Sequence, residues 1–365
     1  MLNQNTLRHS LVAFALALLV SAQPSGSKRT ARVKRSSREV EELIRRVGPT
    51  KPDWWDDVKL DYPKTLDLSW PKPKRGAKWD QNKNPGQYLI GVVYRQPRRG
   101  RSAAKLYRHI VDVNGDNPQA RQNGMQALGH VYARFLCDYP RAAYWYQKVA
   151  RERRNMSTRD AVDLAECYWQ LGNKSKAERV LRSLGRGTTK LWAEIGELDE
   201  ALAVARRESR GNWPHNAFLA AGNAYRSHGR YSDAMGLYRK LTRIKPQGKR
   251  ARGLQRMKTL GQQSTAATEV YQDLDLGNAK DGTYRGGGEG FRGTMQVDVT
   301  IRDGAIEDIK VVKHREDWPF RSLTEMPRRL VARQGVKGVH AVTGATNTSN
   351  AIVNATGDAI RKALQ

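Results

Sequence analysis

Two regions of the chain differ in how apolar and polar residues are arranged. Residues 100–260 are rich in Ala, Leu, Arg and Tyr, with few prolines inside segments, and are interpreted as helical hairpins. Further along, Met295, Val297, Val299 and Ile301 alternate with polar residues. Alternation with a period of two is typical of a strand that buries one face. The pattern therefore predicts a helical array followed by a small α+β region.

The C-terminal region is predicted to contain one hairpin and two helices. An Asp-Gly dipeptide favours a tight turn within residues 295–312, which are predicted to pair as a hairpin. Helices are expected over 323–334 and in the second half of 340–364. Residues 281–293 are rich in glycine, which permits bends and close approach of the backbone. Residues 261–277 are expected to be a polar linker.

An internal repeat is visible in the helical region. The stretch FLAAGNAYRSHGRYSDAMGLYRKLTRIKP, residues 218–246, orders its small and aromatic residues in a pattern that resembles the tetratricopeptide repeat. The matching positions are Gly222, Tyr225, Gly229, Ala234, Tyr238 and Pro246. Weaker units occur earlier, and three or four units are enough to bury a shared core. The resemblance implies a surface that docks a protein partner, and an unrelated helical bundle is the alternative.

Residues 49–99 are expected to form an extended strap. This segment holds seven of the fourteen prolines and four of the nine tryptophans. Proline removes a backbone donor and restricts the residue before it, so the segment cannot sustain a helix. Trp54, Trp55, Tyr62 and Trp70 are too apolar for a free linker. We expect the strap to lay these rings on a neighbouring helical surface, and an aromatic ligand groove is the alternative.

Residues 1–22 have the composition of a secretory signal peptide. Arg8 and His9 precede the apolar run LVAFALALLV, and Val20-Ser21-Ala22 fits a cleavage site. The run is too short for a membrane span, which needs about 20 apolar residues. The sequence therefore predicts an exported protein, in the periplasm or on the outer face of the membrane. An uncleaved anchor or a buried helix is the alternative.

The chain carries a formal net charge of +29, most of it outside the C-terminal region. Residues 281–365 contain 13 Lys/Arg and 10 Asp/Glu, which leaves a net charge of +26 for the residues before them. Residues 23–38 hold six basic and no acidic side chains, and we expect a disordered basic leader over 23–48. Outside the cytoplasm the anions are head groups and acidic polysaccharides, so nucleic acid is not expected as a partner.

Three stretches occur in order within residues 278–365. They are DGTYRGGGEGFRG, the hairpin of MQVDVTI and AIEDIKVV, and VTGATNTSNAI. Together they resemble the FMN-binding domain family, which occurs in sodium-pumping NADH:quinone oxidoreductase and related electron-transport complexes. The resemblance implies FMN as cofactor, and in many members the FMN phosphate is esterified to the last threonine of a Ser/Thr-Gly-Ala-Ser/Thr motif. Here that residue is Thr346, preceded by Thr343, Gly344 and Ala345.

The chemistry of these residues agrees with the resemblance. Gly344 and Ala345 have little bulk, so a phosphate can approach the hydroxyl of Thr346. The segment near 348–350 is predicted to begin a helix, which Thr348 or Ser349 could cap, and the N-terminus of a helix offers free N–H groups and a partial positive charge. Gly290 and Tyr284 complete the predicted FMN site. The candidates for packing on the flavin ring are Tyr284, Phe291 and Trp318, and those for pairing with the phosphate are Arg285 and Arg292.

One position departs from the family pattern. The modified motif usually begins with Asp six residues before the flavinylated threonine, and this chain has His340 there. Histidine forms hydrogen bonds but does not replace a carboxylate charge. A flavin transferase that reads this Asp could therefore fail on this chain. Covalent and non-covalent FMN binding both stay open, and an ordinary strand–turn–helix without flavin is the alternative.

The two cysteines, Cys137 and Cys167, both lie in the helical region. No C-x-x-C and no His/Cys cluster with the spacing of metal ligands is present in the sequence, so no metal site is expected. The cysteines are interpreted either as two packed thiols or as one disulfide, which an exported location would permit.

Three hypotheses on function follow. The first is an exported electron-transfer module, in which FMN exchanges electrons with a membrane redox complex while the repeats dock a partner. No residue stands out as a general acid or base, so no catalytic residue is assigned and an autonomous enzyme is not expected. The second is a non-redox scaffold with a degenerate FMN-type domain. The third is a protein that binds anionic polymers through its basic N-terminal half.

Overall fold

The computed structural model describes residues 33–152, 156–211, 214–244 and 251–365. The predicted signal peptide and residues 23–32 of the predicted leader lie outside the described residues. Across the described ranges, no helix combines the length and the apolar character that a membrane crossing requires.

Helix α1 (Ser37–Val47) corrects the expectation of a disordered leader. Ser36 Oγ accepts a hydrogen bond from Glu39 N at 3.2 Å, and the carboxylate of Glu39 accepts one from Ser36 N at 2.7 Å. This reciprocal capping box stabilises the start of the helix. Val40 and Ile44 are buried against the helical array. The leader is therefore helical at this end, because it supplies both a cap and an apolar stripe.

The predicted strap lies on helix α3 (Gly100–Val113). Trp55 is buried, and its carbonyl accepts a hydrogen bond from Lys105 Nζ at 2.9 Å. The strap also contains a short helix, α2 (Pro85–Tyr88), which continues as a π-helical turn over Leu89–Val93. The sequence interpretation missed this helix, because a proline at the first helical position does not oppose helix formation.

The helical array consists of helices that pack against their neighbours in sequence. The array contains α3, α4 (Pro118–Val131), α5 (Tyr139–Glu152), α6 (Thr158–Gln170), α7 (Lys174–Leu184), α8 (Thr189–Glu194), α9 (Leu198–Glu208), α10 (Pro214–Ser227) and α11 (Tyr231–Arg243). Gly129 of α4 lies against the ring of Tyr146, and Gly222 of α10 lies against the ring of Tyr238. Glycine lets paired helices approach closely while tyrosine fills the gap, and the predicted helical array is confirmed.

Both cysteines are free thiols. Cys167 is buried, and this burial raises the pKa of its thiol well above the usual value. Of the two interpretations of the cysteines, the structure therefore agrees with two thiols and not with a disulfide.

The C-terminal region is the predicted α+β fold. Within the described residues, β1 (Gly282–Glu289), β2 (Thr294–Arg302) and β3 (Ala305–Lys313) form an antiparallel sheet in that order. The helices of this region are α13 (Ser322–Arg333) and α14 (Thr346–Ala363). Asp303 and Gly304 both have positive φ, as the predicted hairpin turn requires.

Strand β1 was expected only as a glycine-rich stretch with close backbone approach. Gly286 and Gly288 lie so close to the carbonyl oxygens of Ala355 and Ala351 on α14 that neither position has room for a Cβ atom. The glycines therefore let the helix lie directly on the strand. The strand itself was missed because glycine is depleted in ordinary strands.

Helix α12 (Ala251–Gln272) replaces most of the predicted linker. Tyr271 Oη donates to Val353 O of α14 at 2.9 Å, and Asn354 Nδ2 donates to Ser264 Oγ at 3.1 Å. The linker expectation is wrong over residues 261–272, where Ser264 and Tyr271 hydrogen-bond to α14. The helical array and the α+β region belong to one contact unit, Val33–Gln365.

Candidate functional site

Thr346 is the first residue of α14 and is half-buried. Gly344 adopts a φ of +86°, which L residues with a side chain rarely adopt. The bend at this residue leads the chain into the helix. The N-cap residue is Ala345, so no side chain caps α14. The first N–H groups of a helix lack partners within the helix. The start of α14 is therefore able to hold an anion next to the Thr346 hydroxyl.

The helical array covers this motif from one side. Lys190 Nζ of α8 donates to Thr343 Oγ1 at 2.6 Å. The guanidinium of Arg134 occupies the space that a Cβ of Gly344 would need. Arg134 lies in a π-helical turn, Tyr132–Leu136, that continues α4. Two cations from the array thus lie against the predicted phosphate-binding motif.

Arg134 belongs to a buried ion-pair network. Its Nη2 lies 2.5 Å from Oδ1 of Asp163, and its Nε donates to Oδ2 at 3.2 Å. Tyr146 Oη donates to the same carboxylate at 3.0 Å. Burial alone would raise the pKa of Asp163, but the charges and hydrogen bonds of Arg134 and His130 together outweigh burial and lower this pKa to about 2. Arg134 is therefore a cation whose charge Asp163 neutralises.

His340 lies beside a second pair of charges. Lys190 Nζ is 2.9 Å from the carboxylate of Glu194, one turn along α8. Burial lowers the pKa of His340 to about 4, although the charge of Glu194 opposes this effect. Burial by itself raises the pKa of Glu194, but Lys190 and then His340 bring it below its usual value. At neutral pH the negative charge next to His340 is therefore carried by Glu194, a residue of the array.

An aromatic cavity of ≈210 Å³ opens on another side of Thr346. The rings of Phe291 and Trp318 line it, with centroids 6.3 Å apart and planes 21° apart. Glu316 also lines it and accepts hydrogen bonds from Phe291 N at 2.7 Å and from the hydroxyl of Thr348. Glu316 therefore ties the loop that carries Phe291 to the first turn of α14.

Two segments of the chain match known families. Residues 217–251 match the tetratricopeptide repeat, and residues 290–361 match the FMN-binding domain. The C-terminal region is an FMN-binding domain. Its cofactor is FMN, and the chain is a flavin-binding protein with a repeat region. The matched segment contains His340 and the motif from Thr343 to Thr346, and it begins after Tyr284.

A protein of Treponema pallidum (strain Nichols), described as an uncharacterized protein, is similar to part of this chain. The two are 36% identical over 88 residues, which are 24% of this chain and 23% of the relative. This chain thus matches about a quarter of the length of that relative. No solved structure matches the chain.

The remaining predicted residues of the FMN-binding domain lie in different places. Gly290 donates from its N–H to Gly293 O at 2.9 Å and contacts the Glu316 carboxylate, so it adjoins the aromatic cavity. Tyr284 donates to Lys280 O at 3.0 Å near the start of β1. The rise of a strand puts it about 20 Å from Gly290 along the chain. The structure does not bring Tyr284 together with Thr346.

The two arginines expected near the phosphate both have carboxylate partners. Arg285 lies 2.7 Å from Asp298, and Arg292 lies 2.5 Å from Asp317. The cations that contact the motif are instead Arg134 and Lys190, which also have carboxylate partners, Asp163 and Glu194. Sequence reasoning missed them because Lys190 and Thr343, for example, are 153 residues apart and no local pattern connects them.

The residues around Thr346 fit the phosphate of FMN. Thr346 is half-buried and lines the aromatic cavity, the helix start is uncapped, and Gly344 has no side chain that would keep a phosphate away. The donors are cationic side chains and backbone N–H groups, which suit a phosphate anion. Across the described ranges, no group of three or more His, Cys, Asp or Glu side chains is arranged to hold a metal ion.

Proposed function

We propose that this chain is an exported flavoprotein that holds FMN through its phosphate at Thr346 and takes part in electron transfer at the outer face of a membrane. The observation that carries this proposal is the position of Thr346. Its hydroxyl lies at an uncapped helix N-terminus, beside an aromatic cavity and two cations. When bound, FMN supplies one- and two-electron redox chemistry.

The role of the protein's own residues is to bind the FMN phosphate and to orient the flavin ring. The first N–H groups of α14 supply partial positive charge next to Thr346, and Lys190, which pairs with Glu194, donates to Thr343 of the same motif. Phe291 and Trp318 offer flat apolar faces that suit an aromatic ring. The side chain of Trp318 is 38% exposed, so the aromatic cavity reaches the surface. A redox partner that docks on this surface would approach the ring closely.

The tetratricopeptide region supports a partner-binding role, since this kind of repeat mediates protein–protein contact. We propose a membrane redox complex as that partner. Export rests on the composition of residues 1–22. Attachment of FMN as an ester of Thr346 requires a flavin transferase, and the carboxylate of Glu194 next to His340 is a candidate replacement for the usual Asp of the motif.

The test is production of the full chain in an exporting host together with its flavin transferase. We expect the purified protein to absorb in the flavin band, and a fluorescent band to persist after denaturing electrophoresis. Thr346→Ala should lose the covalent flavin. Thr324→Ala is the matched control, since it removes an exposed hydroxyl of the same domain outside the motif and should retain the fluorescent band.

The scaffold hypothesis is favoured by His340 at the position of the usual Asp. Protein that folds as shown by circular dichroism, but stays colourless with the transferase and with added FMN, would support the scaffold and contradict the redox proposal. Flavin that is bound but removed by denaturation would contradict only the ester at Thr346.

A further inference from the structure

A second cavity, of ≈230 Å³, lies where the start of α14 meets helices α8 and α10. Thr346, Ser349, Asn350 and Val353 line it from α14. Their spacing of three and four residues places them on one face of the helix. Thr346 thus borders this cavity as well as the aromatic cavity. We call it the Arg226 cavity, because that residue of α10 lines it from the array.

Arg226 is a buried cation with only neutral partners. Its side chain is 4% exposed, and its guanidinium donates to Oδ1 of Asn350 at 3.1 Å and to Oδ1 of Asn354 and of Asn223 at 3.4 Å. Among the described residues no carboxylate forms an ion pair with it, and the residues outside the described ranges include no Asp or Glu. A buried charge without a counter-charge is costly, so this arrangement favours a bound anion.

Two further polar groups in the same cavity lack partners. Asn350 Nδ2 and Thr189 Oγ1 are buried and form no hydrogen bond within the described structure. The residues are 2% and 3% exposed, respectively, and both line the cavity. A buried polar group without a partner costs about 1–3 kcal/mol. Since Arg226 engages Oδ1 of Asn350, the Nδ2 of that amide is left as a donor beside the guanidinium.

We propose that the Arg226 cavity binds a phosphate group, with Arg226 as its cation and Asn350 Nδ2 and Thr189 Oγ1 as additional hydrogen-bond partners. A phosphate has three strong acceptor oxygens that point in different directions, which suits donors from both α10 and α14. Lys190 also lines the cavity. Glu208 is the acidic residue of the lining, and its carboxylate accepts a hydrogen bond from Gly187 N at 2.6 Å.

The phosphate has two candidate sources. One is the phosphate of FMN held at Thr346, since Thr346 and Asn350 are one helical turn apart, about 5–6 Å between Cβ atoms. The other is free phosphate or a small phosphate ester. The cavity is smaller than the usual 300–1,000 Å³ of sites that hold a whole ligand. Its donors Arg226 and Asn350 suit a phosphate with a short chain. Only the first source rests on the proposed function.

The first experiment uses the flavin-free full chain in phosphate-free buffer, titrated with inorganic phosphate by calorimetry and thermal denaturation. We expect binding and a rise in melting temperature. Arg226→Met should weaken phosphate binding about tenfold or more, because a charged hydrogen-bond donor is lost. Arg230→Met is the matched control, since Arg230 pairs with Asp233 on the surface and should leave phosphate binding unchanged.

A second variant keeps the proposal testable where Arg226→Met fails to fold. Asn350→Asp supplies a carboxylate next to Arg226 in place of the bound anion. We expect it to fold, to be at least as stable as the wild type without phosphate, and to lose phosphate binding. Phosphate binding unchanged in both variants would overturn the proposal. So would the absence of phosphate binding by the wild type, which would mean that the cavity holds water only.

The two sources are separated with FMN and riboflavin, which differ by the phosphate. A preference of the wild type for FMN that is lost in Arg226→Met, together with loss of phosphate binding in flavin-loaded protein, assigns the cavity to the phosphate of FMN. Phosphate binding that persists in flavin-loaded protein assigns it to a free phosphate. Arg226-dependent phosphate binding in a protein that binds neither flavin would support the cavity proposal and contradict only the proposed function.

Discussion

Two buried arginines of the helical array approach the start of α14, and they differ in their counter-charges. Arg134 is held by both carboxylate oxygens of Asp163. Arg226 is held by three amide oxygens. The first arginine completes an ion pair that the fold itself provides. The second has no counter-charge among the described residues, which is the property expected of a ligand-binding residue.

The surroundings of the two arginines differ in the same way. Near Arg134, the hydroxyl of Tyr146 donates to the shared carboxylate of Asp163. In the Arg226 cavity, the groups without partners are an amide N–H donor and a hydroxyl. Burial of an arginine therefore does not by itself indicate a binding site. The hydrogen-bonding state of the groups around it makes the distinction.

The largest expected effect tests whether Arg134 and Asp163 form an ion pair that stabilises the fold. Asp163→Asn leaves Arg134 buried without a counter-charge, and breaking a buried pair in this way costs about 3–5 kcal/mol. Urea denaturation followed by circular dichroism measures the loss. Asp112→Asn is the matched control, because its pair with Arg108 is exposed and is worth less than about 1 kcal/mol. Equal losses in the two variants would contradict a structural role for the Arg134–Asp163 pair.

The next effect is a dependence on pH. Burial lowers the pKa of His130, which lies beside Asp163, to about 4 from its usual 6.5. Between these values the unfolded chain takes up a proton that the folded chain does not, so stability falls as the pH falls from 6.5 to 4. The full effect is of the order of 3 kcal/mol. Denaturation at several pH values should show a shallower fall in His130→Gln, and parallel curves would contradict the expectation.

The sequence predicted the parts of the fold that depend on local patterns. The alternation in 295–312 and its Asp-Gly turn predicted β2 and β3, and α14 begins at Thr346, slightly before the helix start that was predicted near 348–350. These features depend on residues that lie close together in sequence. The FMN-binding domain is likewise matched by one continuous segment, residues 290–361. Residues 261–272 of α12 were mistaken for a linker because their polar side chains have partners on α14, on α11 and on β1, which are distant in sequence or not visible as a local pattern.

The candidate site was predicted only where it lies within one segment. Thr343, Gly344, Ala345 and Thr346 are consecutive and stay together in any fold. The cations that approach them come from α4 and α8, more than 150 residues earlier. Which arginine is neutralised also depends on tertiary contacts, since Asp163 is 29 residues from Arg134, and Asn350 and Asn354 are 124 and 128 residues from Arg226. The composition gives the net charge of the chain but does not tell which charged side chains are paired.

A smaller effect tests the contact between Arg134 and the motif. Gly344→Ala places a methyl group at a φ of +86° and against the guanidinium of Arg134, and we expect a loss of about 2 kcal/mol. Gly196→Ala is the matched control, because its φ is +95° but nothing lies within 4 Å of the added Cβ. Urea denaturation of both variants gives their losses in free energy of unfolding, and the difference between the two losses is the cost of the contact with Arg134. Equal losses would mean that Arg134 moves aside without cost.

The smallest expected effect is the sharpest test of the comparison. In phosphate-free buffer, Arg226→Met removes an unneutralised buried charge but leaves the Asn350 and Asn354 oxygens without a donor. These terms oppose each other, so we expect a net change within about 1 kcal/mol. Added phosphate should then stabilise the wild type but not the variant, because a ligand of the folded state raises stability with its concentration. Denaturation without phosphate measures the effect of the substitution itself, and denaturation with phosphate measures the stabilisation by the ligand. A loss in phosphate-free buffer as large as that of Asp163→Asn would make Arg226 a structural cation like Arg134, and the difference between the two arginines would no longer mark a binding site.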